Sequence, residues 1–421
     1  MQTSASQGIA ARPLWLIILA AGLIVGAAMG LRQVMGLFLN PMTAELKIGR
    51  EAFSLAMAIA NLTWGLAAVP MGAISDKYGA GRTLVLGALC TMAGVYVLYA
   101  APDSTGLMAS SLPFIGRFDL MVSGLLMGIG IAGTGITALV GAVGRAAPPE
   151  KRPQALAALG MAAGIGGFIA FPYTHLFMET LGWRTTLLVI LATVALIIPL
   201  AIPMAGKPQA GPSTQRQQTL GEAFGEALAH PSFWLLIAGF FVCGFHVAFY
   251  AVHLPAFVAD KGLPSWVAIA ALTSVGVANI IGTYLAGQSG KFAEKRVSLA
   301  VIYFMRVFAF LGLLFLPITE WTVIGVSILL GFFWLSTVPL TSAMVATFFG
   351  AQWMSMLFGF VFLSHQLGSF AGLWTAGRLY DATKSYDMMW WICIALALFA
   401  ALIHLPIREQ PVARLAVPAQ A

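Results

Sequence analysis

Charge is what this chain has least of: Asp, Glu, Lys and Arg make up 9% of its 421 residues, while 60% are hydrophobic. Ordinary soluble domains carry about 25% charged residues, and a single soluble core of this length cannot hide so large an apolar excess. A soluble globular protein is thereby excluded, and lipid becomes the main solvent. Cysteine is scarce too. Cys90, Cys243 and Cys393 lie far apart inside apolar stretches without metal-ligand spacing, so they read as packing residues and no metal site is expected. Asp and Glu are missing from the interior of every apolar stretch, with Glu51 and Asp119 only at the ends. No carboxylate proton relay is visible, and there is no nucleophile or carboxylate pair near an interface to suggest an enzyme acting on lipid. A phosphate loop for ATP is absent as well, and no cofactor is expected. Gly128-Ile-Gly130-Ile-Ala-Gly133 matches the dinucleotide fingerprint, but it follows no strand and lies in an apolar stretch, where small residues serve helix packing.

What the chain does have is hydrophobic length. Apolar stretches recur from end to end, most of them near the ~20 residues that a helix needs to cross the hydrocarbon layer. They predict spans at 14–38, 52–74, 83–102, 119–143, 154–178, 185–205, 231–257, 265–286, 297–317, 320–346, 354–378 and 388–407. The expected fold is an all-α membrane protein with twelve transmembrane helices, and an even number puts both termini on one side. The first stretch is too long for a signal peptide and eleven more follow it.

A net charge of +7 would suggest nucleic acid in a soluble protein, but here the basic residues sit in short loops. Of 22 Lys and Arg, 13 fall on the side holding the termini and 7 on the other, while Arg32 and Arg306 lie inside spans. That bias predicts a multi-pass protein of the cell inner membrane with both termini cytoplasmic, without a nucleic-acid partner.

Residues 206–230 form the longest polar stretch and leave six spans on each side. An offset of 214 carries Gly30, Arg32, Pro41 and Lys47 onto Gly244, His246, Pro255 and Lys261, and SDKYGAGR at 75–82 onto SGKFAEKR at 289–296. The chain therefore reads as a duplication: an N-terminal six-helix bundle at 1–205, a cytoplasmic linker at 206–230 and a C-terminal six-helix bundle at 231–421, pseudo-symmetric about an axis along the membrane normal. Transporters so built hold substrate near the midplane, between the halves.

Gly72-Ala-Ile-Ser-Asp76-Lys-Tyr-Gly79-Ala-Gly-Arg82 falls in the tight loop between the second and third spans. It resembles the G-x-x-x-D-(R/K)-x-G-x-x-R signature of the major facilitator superfamily. GREAFSLAMAIANLTWG before it, RAAPPEKRPQALAALGMAAG, LGWR and GRLYDATKSY after it look like the bacterial monocarboxylate-transporter-like branch. The resemblance implies a gating role for Asp76 and Arg82, and the repeat extends it to Lys291 and Arg296, with Gly290 in place of Asp76. Carriers of that branch use an arginine in the eighth span against the substrate carboxylate, where this chain has Thr283. The span-five export motif wants proline where Ile165 stands.

A charged side chain near the bilayer centre costs at least ~2.5–3.5 kcal/mol unless a cavity or partner relieves it, which makes Arg32 the leading substrate residue. Lysine holds the similar place in the animal monocarboxylate carriers that this part of the chain resembles. His246, Tyr250 and His253 share one helical face, and His246 is a candidate for proton coupling. Asn61, Asn279, Thr283, His365 and Gln366 supply uncharged hydrogen-bonding groups, and Tyr173, Tyr284, Trp334 and Trp374 candidate aromatic walls. Arg306 reads as structural. Together these point to a monomeric secondary transporter working by alternating access, taking up a small organic solute with protons. A monocarboxylate is the first reading and a neutral planar nutrient such as riboflavin or another vitamin the second. An efflux antiporter and a membrane sensor on a transporter scaffold are further alternatives.

Overall fold

The computed structural model describes residues 12–101, 117–135, 138–139, 142–143, 146–147, 152–206, 219–290, 292–350 and 354–412. Among them all regular structure is helical. The long helices are α1 (Leu14–Val34), α3 (Arg50–Tyr78), α4 (Ala80–Tyr99), α5 (Phe118–Thr134), α6 (Arg152–Ala195), α9 (Pro231–Asp260), α10 (Ser265–Ser289), α11 (Lys295–Phe315), α12 (Glu320–Phe332), α13 (Thr337–Phe349), α14 (Met354–Thr383) and α15 (Asp387–His404). Short helices α2 (Leu39–Glu45), α7 (Ile197–Leu200) and α8 (Leu220–Leu228) join them.

Ten segments are long and apolar enough to cross a membrane, and Phe118–Thr134 is a shorter apolar helix. One of the ten, Ala158–Met204, holds two crossings, because Gly182 at φ 75° breaks α6. Counting it twice and adding α5 gives the twelve crossings expected. Gly79, at φ 94°, ends α3 and starts α4 in a single residue, and a Cβ there would run into Gly206 O. This turn marks the terminal face, the one near the chain ends.

Two expected spans differ in detail. The first continues through a 3-10 turn at Met35–Phe38 into α2, reaching Glu45 rather than residue 38. The tenth is not one helix. It breaks between Phe332 and Thr337, and the freed groups are caught by side chains. Arg306 of α11 donates to Phe333 O and Trp334 O, each at 2.7 Å, and Asn279 Oδ1 of α10 accepts the Leu335 N–H at 2.9 Å. Unpaired backbone groups in lipid cost several kcal/mol, so a break there survives only where protein satisfies it. The Gly130–Gly133 segment packs against Gly87 and Thr91 of α4, as small-residue helix contacts do.

The first six spans meet the last six where Gly36 lies against Ala251 and Val252 of α9, and along two longer crossings. On α3 and α14, Gly377 lies against Glu51 and Ser54, and Gly65 against Gln366 and Leu363. Seven residues on, a Cβ at Gly72 would meet nothing within 4 Å, and Gly359 likewise faces open space. Along α6 and α10, Ser265 Oγ is 3.4 Å from Glu179 Oε1 and a Cβ on Gly164 would lie 3.6 Å from Ile280, whereas Gly160 and Gly287 have no neighbour within 4 Å. Both crossings touch towards the face opposite the termini and part towards the terminal face.

Candidate functional site

A small cavity lies where α1, α3, α5 and α9 meet, lined by Arg32, Gln33, Met35, Met57, Ala60, Asn61, Trp64, Met127, Ile131, Ala248, Ala251 and Val252. Arg32 enters it from the last turn of α1. The nearest polar group is Asn61 Oδ1, 3.5 Å from Arg32 Nη1 and at the outer limit of a hydrogen bond. Asn61 is itself held by Nδ2 donating to Met57 O at 2.9 Å. One helical turn along α3, the Trp64 ring centroid is 5.1 Å from the guanidinium carbon, within cation–π range. None of the described lining residues is acidic, so the Arg32 charge meets a neutral amide and a ring face.

Two buried polar atoms of the lining residues have no partner, Arg32 Nε and Trp64 Nε1, and neither has Gln366 Nε2 at the α3–α14 crossing. All three are donors. Gln366 is fully buried at the α3–α14 crossing and accepts at Oε1, 3.0 Å from His365 Nδ1. The His365 ring stacks at 6° on Phe362, which meets Trp64 edge-on at 5.1 Å. Arg32, Trp64, Phe362, His365 and Gln366 therefore form one continuous group spanning both halves of the chain.

Above it, at the opposite face, a second polar cluster ties α3 to α9 and α14. Arg50 grips Asp260 with both nitrogens at 2.7 and 2.6 Å, and its Nη1 also donates to Tyr386 Oη at 2.8 Å. Asp381 accepts the backbone N–H of Arg50 at 3.0 Å and of Glu51 at 2.8 Å. Those N–H groups begin α3 and have no partner within the helix, so Asp381 both caps α3 and complements its dipole. Trp374 Nε1 donates to Glu51 at 2.9 Å. His253 lies beneath, with Nε2 3.1 Å from Ser54 Oγ and Nδ1 2.9 Å from Tyr386 Oη.

The other expected residues sit apart from the cavity. His246 is 1% exposed, with Nε2 3.0 Å from Cys393 O and its ring against Phe310, and Tyr250 bonds Ser327 at 2.7 Å. Their shared face does turn inward, but into the packing of α9 with α11, α12 and α15; the cavity receives Ala248, Ala251 and Val252 instead. Asn279 is engaged with Leu335 N and with Thr283 Oγ1 at 3.2 Å, beside the break that Trp334 occupies. Tyr173 bonds Thr193 at 2.8 Å, Trp374 serves the Glu51 contact, and Tyr284 is 67% exposed. Arg82 is exposed on the terminal face, and Arg296 pairs with Glu294 at 2.6 Å and donates to Leu405 O. The Asp76 side chain and Lys291 lie outside the described residues.

Reading the sequence missed Trp64 and Phe362 at the cavity and the whole Arg50–Asp260–Asp381–Tyr386 cluster. Trp64 had a signal, since it follows Asn61 by three residues and so shares its helical face. The cluster had only a faint one: Arg50, Asp260 and Asp381 all lie at span ends.

Comparison with known proteins agrees with this architecture. The profile of the Major Facilitator Superfamily matches residues 14–373. Over 401 residues the chain is 24% identical to the uncharacterized MFS-type transporter YcxA of Bacillus subtilis (strain 168), covering 93% of this chain and 94% of that one. Among solved structures, a bacterial homolog of the human lysosomal transporter Spinster, in an inward-facing and unoccupied conformation, aligns with TM-score 0.71 at 15% identity, over 94% of this chain and 98% of that one. A D-xylose-proton symporter aligns with TM-score 0.69 at 15% identity, over 93% and 96%. With a matching profile over most of its length and long apolar helices from end to end, the chain is a multi-pass membrane transporter, not an enzyme, and belongs to the Major Facilitator Superfamily.

Proposed function

We propose that this protein takes up a small monocarboxylate with a proton, by secondary active transport and alternating access between bundles at 1–205 and 231–421, joined by a cytoplasmic linker at 206–230. The observation that carries the substrate class is the donor set at the cavity. Arg32 Nε and Trp64 Nε1 are buried there without partners, and no acidic side chain among the described lining residues neutralises Arg32. Unmet buried donors each cost about 1–3 kcal/mol, and a carboxylate offers acceptors and the missing charge at once. A neutral solute would meet the donors but leave the cation bare. Thr283, in the eighth span, is occupied within α10, so Arg32 is the counter-ion in this reading.

The basic-residue bias supports a cytoplasmic terminal face in the inner membrane, so the crevice in this conformation opens inward. The carrier acts as a monomer, and Asp76, Arg82, Lys291 and Arg296 belong to the gate on that face.

The test is uptake into proteoliposomes of a panel of monocarboxylates and neutral vitamins, with and without an inward proton gradient. Arg32→Ala is expected to lower carboxylate uptake at least ~100-fold, the scale of losing a charge-assisted bond of about 3 kcal/mol. Arg32→Lys keeps the charge without the forked geometry and falls between. Unchanged uptake by Arg32→Ala, or transport of the vitamins alone, overturns the carboxylate reading.

A further inference from the structure

The walls of the Arg32 cavity differ in how far they can yield, and that difference bears on how much carbon can follow a carboxylate into it. Its polar lining is already placed: Arg32, Asn61 and Trp64 converge at the donor end, while Gln33 lies along Gly167 of α6, where a Cβ would run into its amide. The other lining residues are Met, Ala, Ile or Val. The alanines have nothing beyond Cβ to move, and Ile131 and Val252 are β-branched and stiff at χ1. Met35, Met57 and Met127 are long, unbranched and adaptable.

The backbone behind two of these methionines is fixed. A Cβ on Gly124 would meet Ala56 O and one on Gly128 would meet Ala60 O, so α3 and α5 touch just before and just after Met57 and Met127. The wall between the two helices cannot part, and only the side chains can give way. Met127 is braced from behind as well, with Cγ where a Cβ on Gly94 of α4 would intrude and its sulfur 3.6 Å from Ser123 Oγ. Met35 differs. It opens the 3-10 turn beside Gly36, which lies against Ala251 and Val252 of α9, so its place depends on how the two halves sit.

The free space is small. The cavity admits the centre of a water-sized sphere over about 20 Å³, the room of ~1–2 water molecules. A carboxylate group fills it, and every further carbon lies where a methionine side chain now lies.

We propose that Met57 and Met127 set the carbon-chain length of the transported acid, holding it to short unbranched aliphatic monocarboxylates. This rests on the carboxylate reading above and adds the residues that choose among carboxylates. A methylene that finds apolar cover gains about fourfold in affinity, the equivalent of ~0.8 kcal/mol. One that has to displace a packed side chain gains nothing or loses. Met→Ala removes Cγ, Sδ and Cε and leaves room for about as many carbons of substrate.

The test is calorimetric binding of straight-chain acids from acetate to octanoate to the purified protein, since the protonated acids leak through lipid. The unaltered protein is expected to bind acetate and propionate best and to lose affinity steadily towards hexanoate. In Met127→Ala, and separately in Met57→Ala, affinity for hexanoate relative to propionate is expected to rise ~10-fold or more. Met127→Leu, which conserves volume, is expected to keep the original order. A series that is flat or rising in the unaltered protein overturns the proposal. Binding of acetate that Arg32→Ala abolishes, with the chain-length order unmoved in both alanine variants, overturns the role of the methionines alone. Binding of none of the acids overturns the carboxylate reading and this proposal with it.

Discussion

Asp381 caps the helix that Arg50 begins, although the two are 331 residues apart: its Oδ1 takes the Arg50 backbone N–H at 3.0 Å. A helix N-terminus in one half of the chain is thus completed by a carboxylate in the other. The cap exists only while the opposite face is closed, so it stabilises one conformation against the other and not the fold as such. Asp381→Asn keeps an acceptor but loses the charge at the helix dipole, worth about 1 kcal/mol. The expected result is a roughly fivefold rise in labelling of Ser54→Cys by an impermeant maleimide from the opposite face. Unchanged labelling would show that Asp381 does not bear on closure.

Trp64 contributes a ring face to Arg32 and an unpaired indole N–H. Trp64→Phe keeps the first and removes the second. One hydrogen bond to a charged acceptor is worth about 1.5–3 kcal/mol, so KM for the carboxylate is expected to rise at least ~10-fold while the Arg32 environment is preserved. Binding isotherms on purified protein separate this from a loss of turnover, and an unaltered affinity would remove the indole N–H from the site.

Much of this was legible in the residues. Arg32 stood out because an arginine in the middle of an apolar stretch is costly unless a cavity or partner relieves it. Other features were not. The break at Phe332–Thr337 lies in a run as apolar as its neighbours, and its stabilisers, Arg306 and Asn279, sit on other helices. The Arg50 closure joins α3, α9 and α14, and helix periodicity carries no information about such pairings. His246 and Tyr250 share a polar face, but a face turned inward in a membrane can look either to the substrate path or into its own bundle, and spacing does not distinguish the two.

Asn279 shows what that difference means for a variant. Asn279→Ala leaves the Leu335 N–H without its acceptor in the break of the tenth span, at a cost of about 1–3 kcal/mol. The melting temperature in detergent is expected to fall by several degrees, with KM for uptake close to that of the parent. A rise in KM without a fall in melting temperature would return Asn279 to the substrate path.

His230 lies just ahead of α9, stacked on Phe348 at 4.7 Å. Burial holds its pKa below the ordinary 6.5, against the opposing pull of the Gln410 backbone and the Glu226 charge. The unfolded chain therefore binds this proton more readily than the folded one, so the His230 contribution is complete above about pH 6.5 and is lost as pH falls through the lowered folded value. The slope of melting temperature against pH below 6.5 is expected to flatten in His230→Gln. An identical slope would place the acid sensitivity elsewhere.

The small-residue contact of α1 with α6 has its own consequence for how the cation moves. Gly30 comes so close to α6 that a Cβ there would stand 2.9 Å from Gly166 O, and Gly22 and Gly26 meet Ala162 and Gly166 in the same way. Backbones this close cannot slide or roll independently, so Arg32, two residues beyond Gly30, rides on a stiff two-helix spar. When the carrier changes shape, its charge keeps a fixed height relative to α6, and what changes is which partners on the far side of the crevice swing past it.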